Sequence, residues 1–228
     1  MVRIALLVII VGLVIFGPQL WTRRVFARHS VPRPDYPGTG AELARHLLDQ
    51  LDMKHIKVEM TELGDHYDPE TKTVRLTPDR FTEKSLTAIT VAAHEVGHAI
   101  QDHTGYQPLA ERTRLVRIAH RAEKVGGMVM IGIPIATAVA QTPVAGAFVL
   151  AAGIATIGIS TLVHLLTLPV EWDASFRRAL PVLQQRHYLS AEDEQGARRI
   201  LTAAALTYVA ASLASLLNLW RWIAFLRR

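Results

Sequence analysis

Apolar residues are concentrated in three long runs that carry no charge. The first covers residues 4–21, the second covers residues 125–170 with about 46 positions, and the third covers residues 200–220. A single helix of the second run would measure about 69 Å, whereas a bilayer core is about 30 Å thick, so this run predicts two spans, at 125–141 and 144–168. The pattern predicts a mainly α membrane protein with about four transmembrane helices.

Two other interpretations of these runs are a cleaved signal peptide and buried core helices of a soluble protein. Residues 17–21, Gly-Pro-Gln-Leu-Trp, are too bulky for a signal-peptide cleavage site, which favours an uncleaved anchor. Core helices need other chain segments to cover them, and nothing else in the chain looks large enough. We therefore expect membrane spans.

Basic residues predict the orientation. Residues 23–124 carry 16 Lys and Arg and residues 171–199 carry five, whereas the turn at 141–143 carries none. The positive-inside rule places the two basic segments in the cytoplasm, although the three C-terminal arginines and the length of the first segment weaken the inference.

The polar region after the first run has the pattern of a small α+β domain. Residues 30–40 contain three prolines and two glycines and are typical of a linker. Helical periodicity follows over 39–52, and residues 56–60 and 73–76 alternate as two short strands that predict a β-hairpin. A helix is predicted from residue 85 to residue 102, on which the hairpin can pack.

This last helix contains the pattern His94-Glu95-Val96-Gly97-His98. Positions i and i+4 share a helix face, so both imidazoles can bind one zinc ion, and Glu95 is placed to act as general base toward a water. The longer metzincin pattern is absent, because Gln101 and Thr104 occupy the positions where it has Gly and His. Gly97 predicts a close approach of another element.

A catalytic zinc site needs a third protein ligand. Glu171 is the best candidate, because it is the first charge after the long uncharged run and a carboxylate there is costly unless it is paired or bound to a metal. His120 and Glu123 remain alternatives, whereas His103 is offset from the face that carries His94 and His98. The sequence therefore predicts one zinc ion per chain, held by two histidines and one glutamate.

Three further residues are candidates for supporting roles. His164 is the only ionisable residue within residues 125–170, and it is either functional or hydrogen-bonded between helices. Asp173 either orients a ligating histidine or is a solvated helix charge. Tyr208 either donates to an oxyanion or lies at an interface. The segment 65–69, Asp-His-Tyr-Asp-Pro, has metal-like residues but is more typical of a turn.

Composition excludes several classes of protein. The chain has 228 residues, 50% of them hydrophobic, which excludes intrinsic disorder. It has no cysteine, which excludes disulfide scaffolds and thiolate metal sites. The net charge of +5 is compatible with nucleic-acid binding, but the basic residues flank the predicted spans, so no nucleic-acid partner is expected.

Five stretches together resemble the YugP-like family of neutral zinc metallopeptidases, which are bacterial integral membrane proteins. The stretches are residues 38–42, 65–69, 91–101, 168–171 and 203–211. The resemblance implies a zinc protease of the bacterial cytoplasmic membrane, with His94 and His98 as ligands and Glu95 as catalytic acid and base.

The predicted architecture is also loosely similar to HtpX and the CAAX prenyl endoproteases, whose third ligand is a glutamate from a later helix. That similarity supports Glu171. These relatives have an Asp four residues after the glutamate, whereas this chain has Ser175, so the corresponding contact is expected to differ and to involve Asp173 instead.

The predicted function is that of a multi-pass membrane metalloendopeptidase that faces the cytoplasm. Its substrate is expected to be an unfolded or membrane-near polypeptide, as in quality control of membrane proteins, and its oligomeric state is open. The alternatives are a site-2-type intramembrane protease and a non-catalytic, zinc-held scaffold that binds peptides. The expected parts are an anchor (1–28), a zincin-like α+β domain (29–124), a transmembrane hairpin (125–170), a connecting segment with the third ligand (171–199) and a last span (200–228).

Overall fold

The computed structural model describes residues 2–119, 121, 163, 167–185 and 188–206. Residues 2–103 form four helices and three strands. In chain order they are α1 (Val2–His29), α2 (Gly40–Gln50), β1 (Lys57–Met60), β2 (His66–Asp68), β3 (Thr73–Leu76), α3 (Pro78–Thr82) and α4 (Leu86–His103). Residues 107–119, 167–185 and 191–206 are also helical, and the second of these stretches contains a π-helical segment, Asp173–Ala179.

The prediction of a fold with about four transmembrane helices is contradicted. Within the part of the chain described above, no helix is both long enough and apolar enough to cross a membrane. The span predicted at 125–141, and most of those at 144–168 and 200–220, lie outside the described residues.

Burial in a protein core explains part of the third uncharged run. Ile200, Leu201 and Ala203 are completely buried and belong to the core. Side chains inside a core avoid charge just as lipid-facing side chains do, so an uncharged run does not by itself separate the two environments. The described start of this run is thus part of a packed unit.

Helix α2 packs against α4, and its start matches the prediction. Thr39 accepts a hydrogen bond from the Glu42 amide, while the Glu42 carboxylate accepts one from the Thr39 amide, which completes a capping box. A methyl group at Gly40 would collide with the backbone of Arg80 and Ala88, so glycine allows α2 to begin directly against its neighbours. The face of α2 that carries Leu47 and Leu48 is buried.

The small sheet has the strand order β1-β3-β2, with β1 parallel and β2 antiparallel to β3. The predicted hairpin is therefore wrong in topology: residues 56–60 and 73–76 pair, but they run in the same direction. The hairpin joins β2 to β3 instead, because Asp68 Oδ1 accepts hydrogen bonds from the amides of Glu70 and Thr71 and reverses the chain there. A three-residue strand inside a turn-rich stretch is too short to show alternation.

The chain divides into two compact units. One comprises Pro18–Ala110 and Leu168–Thr207, and it contains the sheet, α2, α4 and the candidate site. The other comprises Met1–Gly17, Glu111–Thr167 and Tyr208–Arg228. The core of the first unit is formed by α2, α4, the sheet and the 167–185 and 191–206 helices.

Candidate metal centre

Helix α4 presents His94 and His98 on one face, as their spacing predicts. Ser85 caps the start of the helix, since its hydroxyl accepts a hydrogen bond from the Ala88 amide, and the helix runs for 18 residues from Leu86. Both histidines are buried, and their ring centroids are 4.8 Å apart. The two imidazoles therefore face the same small volume inside the protein.

Glu171, on the 167–185 helix, closes this volume from the opposite side. Its Oε2 atom lies 3.2 Å from His94 Nε2 and 3.2 Å from His98 Nε2. The Glu171 side chain is almost fully buried, and the three ligand atoms lie within 4.8 Å of one another. Two ligand atoms that share a tetrahedral zinc ion are about 3.4 Å apart, so the two 3.2 Å separations fit a metal held between the glutamate and the histidines.

The two ligand-bearing helices meet at Gly97. A methyl group at this position would lie 2.6 Å from the Ala174 carbonyl oxygen, so only glycine lets the helices approach this closely. Ala174 belongs to the π-helical segment Asp173–Ala179, which begins two residues after Glu171. The close approach expected from Gly97 is observed, and it brings Glu171 up to the histidines.

Both histidines have a hydrogen-bond partner on the side away from the shared volume. His98 Nδ1 lies 2.9 Å from Gln101 Oε1, and His94 Nδ1 lies 3.0 Å from Ser175 Oγ. The Gln101 amide nitrogen donates to the Val170 carbonyl and to Asp173 Oδ2, both at 2.9 Å. Sequence reasoning had considered residues 101 and 175 only as departures from other families' patterns.

The spacing of these two residues held a signal that could have identified them. Gln101 is three positions after His98 and Ser175 is four after Glu171, so each lies one helical turn from a ligand candidate. Asp173 contacts Gln101 and Arg178, not a histidine. The contact expected at Asp173 is instead made by Ser175, beside His94, and Asp173 is linked to His98 only through Gln101.

Glu95 is buried on α4, next to His94. Successive residues of a helix are turned by about 100°, so Glu95 lies at the edge of the face that carries the two histidines. The structure therefore provides a buried carboxylate beside the candidate metal ligands.

Other candidates lie elsewhere. His103 is exposed at the end of α4 and faces His55, with 6.4 Å between the ring centroids. His164 and Tyr208, as well as the alternative ligands His120 and Glu123, lie outside the described residues.

The segment 65–69 is not part of the centre, and it is mostly strand β2 (His66–Asp68) and not the turn that was expected. Asp65 accepts hydrogen bonds from the amide and the hydroxyl of Thr77, and Asp68 binds Arg75 and Thr71. Among the residues described here, only His94, His98 and Glu171 form a cluster that could hold a metal ion.

Comparison with known proteins identifies the family. Residues 4–227 match a family model described as "Putative neutral zinc metallopeptidase". The chain belongs to this family of YugP-like zinc metallopeptidases. The "Putative membrane protease YugP" of Bacillus subtilis (strain 168) is 33% identical over 210 residues, which cover 91% of this chain and 89% of that protein. No solved structure matches the chain.

The donor set fits the metal named in the family description. Two imidazole nitrogens and one carboxylate oxygen are the protein ligands found in many catalytic zinc sites, which leave a fourth position for water or substrate. The three donors are buried, and no thiolate is present in the sequence to favour a structural site. Both the family and the buried cluster therefore indicate zinc.

Proposed function

We propose that this chain is a zinc-dependent endopeptidase that binds one zinc ion through His94, His98 and Glu171 and uses Glu95 as its general base. The observation that carries the proposal is the convergence of three buried donor atoms from two helices, with 3.2 Å from Glu171 Oε2 to each histidine Nε2. A buried carboxylate, Glu95, lies next to them on α4.

In the proposed hydrolysis, the metal, Glu95 and the buried surroundings of the ligands have separate roles. Zinc, when bound, polarises the scissile carbonyl and lowers the pKa of a water. Glu95 takes the proton of the attacking water and later delivers it to the leaving amine, so one carboxylate serves as base and then as acid. The buried surroundings of His94, His98 and Glu171 exclude bulk water and hold the ligand atoms in place.

The substrate is proposed to bind as an extended strand on an open edge of the sheet. Strand β3 is paired on both sides, so the open edges belong to β1 and β2. In β1, the amide of Lys57 donates a hydrogen bond to the carbonyl of Lys72. Just beyond the strand, the amide of Thr61 donates to the carbonyl of Leu76. By alternation the amides of Val58 and Met60 point away from β3 and are available to a substrate strand.

Met60→Pro tests this binding mode, since Met60 is exposed and its amide is outside the β1–β3 ladder. We expect slower cleavage with unchanged thermal stability, whereas Met60→Ala should retain wild-type kinetics. Wild-type kinetics for Met60→Pro would count against substrate binding on β1.

The central experiment compares cleavage of unfolded model proteins by the wild type and by Glu95→Gln, with bound zinc counted in both. The proposal expects one zinc in each protein, and a rate lower by about 10²–10⁴-fold in the variant. Equal rates would exclude Glu95 as the base. Zinc-loaded wild type that cleaves no substrate would favour a non-catalytic scaffold that binds peptides.

Location and partners complete the proposal. The relative is named "Putative membrane protease", and on that basis we place this chain at the bacterial cytoplasmic membrane. The basic residues of 23–124 and 171–199 favour a site on the cytoplasmic side. Its substrates would be unfolded or membrane-near polypeptides, as in quality control, and nucleic acid is not a partner. Recovery of the chain in the soluble fraction of lysed cells would contradict the location without affecting the chemistry.

A further inference from the structure

We propose that Gln101 is a positioning residue: its side-chain amide fixes which nitrogen of His98 carries the proton and ties the two ligand-bearing helices together. This inference rests on the proposed zinc site and names the residue that prepares one of its ligands. Gln101 is completely buried and does not touch the shared volume between His94, His98 and Glu171.

The orientation of the Gln101 amide follows from its two other partners. Its Nε2 lies 2.9 Å from the Val170 carbonyl oxygen and 2.9 Å from Asp173 Oδ2. A carbonyl oxygen and a carboxylate oxygen only accept hydrogen bonds, so the NH₂ group must face them. The amide oxygen, Oε1, must then face His98.

This orientation determines the tautomer of His98. An amide oxygen cannot donate, so the 2.9 Å contact requires a proton on His98 Nδ1. In the neutral imidazole the other nitrogen, Nε2, then carries the lone pair, and it is Nε2 that faces Glu171 Oε2. Gln101 thus favours the tautomer of His98 whose Nε2 lone pair faces the shared volume and can bind a metal.

The amide is itself held from both sides. Asp173, which accepts one of its hydrogen bonds, also accepts one from Arg178 Nε at 3.2 Å, and both Gln101 and Asp173 are buried. Val170, which accepts the other, directly precedes Glu171. One side chain on α4 therefore restrains His98 and the backbone beside Glu171 together, which prepares the geometry before a metal arrives.

If Gln101 served only the fold, its replacement would lower the stability of the metal-free protein and have no specific effect on metal affinity. The test is therefore the zinc dissociation constant of the full chain, measured by competition with a chromophoric chelator, for Gln101→Leu. We expect zinc binding weakened by about 10–100-fold, the usual effect of removing such an outer partner. The control is Leu47→Ala on α2, which removes core packing and should leave the zinc affinity unchanged.

Zinc affinity of Gln101→Leu equal to that of the wild type would overturn the proposal. If that variant fails to fold, nitrogen-15 NMR of the wild-type histidine side chains decides instead. A proton on His98 Nδ1, in the zinc-loaded and the zinc-free protein alike, is expected, and a bare Nδ1 would overturn the inference. A wild type that binds no zinc would contradict the proposed function, while the zinc-free NMR spectrum would still test the Gln101 contact.

Discussion

Gly97 on α4 and Ala174 on the facing helix are in direct backbone contact: a methyl group on Gly97 would lie 2.6 Å from the Ala174 carbonyl oxygen and 3.2 Å from its carbonyl carbon. Gly97 lies between the two candidate histidines and Ala174 is three residues after Glu171. The contact therefore sets how closely the glutamate approaches the histidines. Backbone atoms cannot move aside as a flexible side chain can, so this spacing is sensitive to a single methyl group.

Gly97→Ala is expected to lower the free energy of unfolding by about 1–3 kcal/mol and to weaken zinc binding, because the methyl group must push the two helices apart. Equilibrium urea unfolding and chelator competition measure the two effects. Gly12→Ala is the matched control, since Gly12 is also helical and its added methyl would meet no other element within 4 Å. It should be neutral or up to about 1 kcal/mol more stable, since alanine favours helix. Wild-type zinc affinity in Gly97→Ala would contradict the role of this contact.

Zinc removal is expected to lower the thermal stability of the wild type. A metal that binds only the folded state adds about 4 kcal/mol of stability at a free concentration about 1,000 times its dissociation constant. Here it would also join α4 to the 167–185 helix. The measurement is the melting temperature with and without a chelator. Glu171→Gln, which keeps the side-chain shape but weakens the ligand, should melt at the same temperature in both conditions. No chelator effect on the wild type would argue against a zinc site.

Asp68→Asn is expected to flatten the loss of stability in acid. Burial alone raises the pKa of Asp68, but hydrogen bonds from Arg75 and Thr71 outweigh it and hold the pKa well below its usual range. The stability that this carboxylate contributes is therefore present above about pH 4 and is lost as the pH falls further. Unfolding free energies from pH 7 to pH 2 measure the slope. Glu62→Gln, at an exposed carboxylate, should keep the wild-type slope, and an equal slope in Asp68→Asn would refute the assignment.

Ser175→Ala is expected to weaken zinc binding by about 10-fold, because His94 Nδ1 loses its partner at 3.0 Å. Ser190→Ala is a matched change at a distance from the site. The Ser190 hydroxyl accepts a hydrogen bond from the Asp193 amide and caps the 191–206 helix. Its loss should cost about 1 kcal/mol of stability and leave zinc affinity unaltered. Titration of both variants with zinc separates the two roles, and equal affinities would assign Ser175 to packing alone.

The local elements of the first unit were accessible from the sequence. Periodicity predicted α2 and α4 to within about two residues, and in the structure Thr39 and Ser85 use short side chains to satisfy the free amides at the two helix starts. Strand direction was not accessible in the same way. Alternation identified β1 and β3, but it carries no information about whether two strands run parallel. The short strand β2, which lies between them in the sequence, was not predicted.

The membrane prediction shows a second limit of sequence patterns. Absence of charge predicts contact with lipid, whereas Ile200 and Leu201 at the start of the third run are buried in protein. An apolar side chain gains by leaving water whichever apolar surroundings receive it, so composition alone does not name those surroundings.

The sequence by itself determined the chemistry of the candidate centre. The four-residue spacing of His94 and His98 places both imidazoles on one helix face whatever surrounds them, and the isolated charge of Glu171 pointed to a third donor. Only the tertiary structure decided how these groups meet. The 3.2 Å approach of Glu171 depends on a backbone contact at Gly97, and the tautomer of His98 depends on an amide whose partners lie about 70 residues away in the chain. Contacts between distant segments arise from packing, which local spacing does not encode.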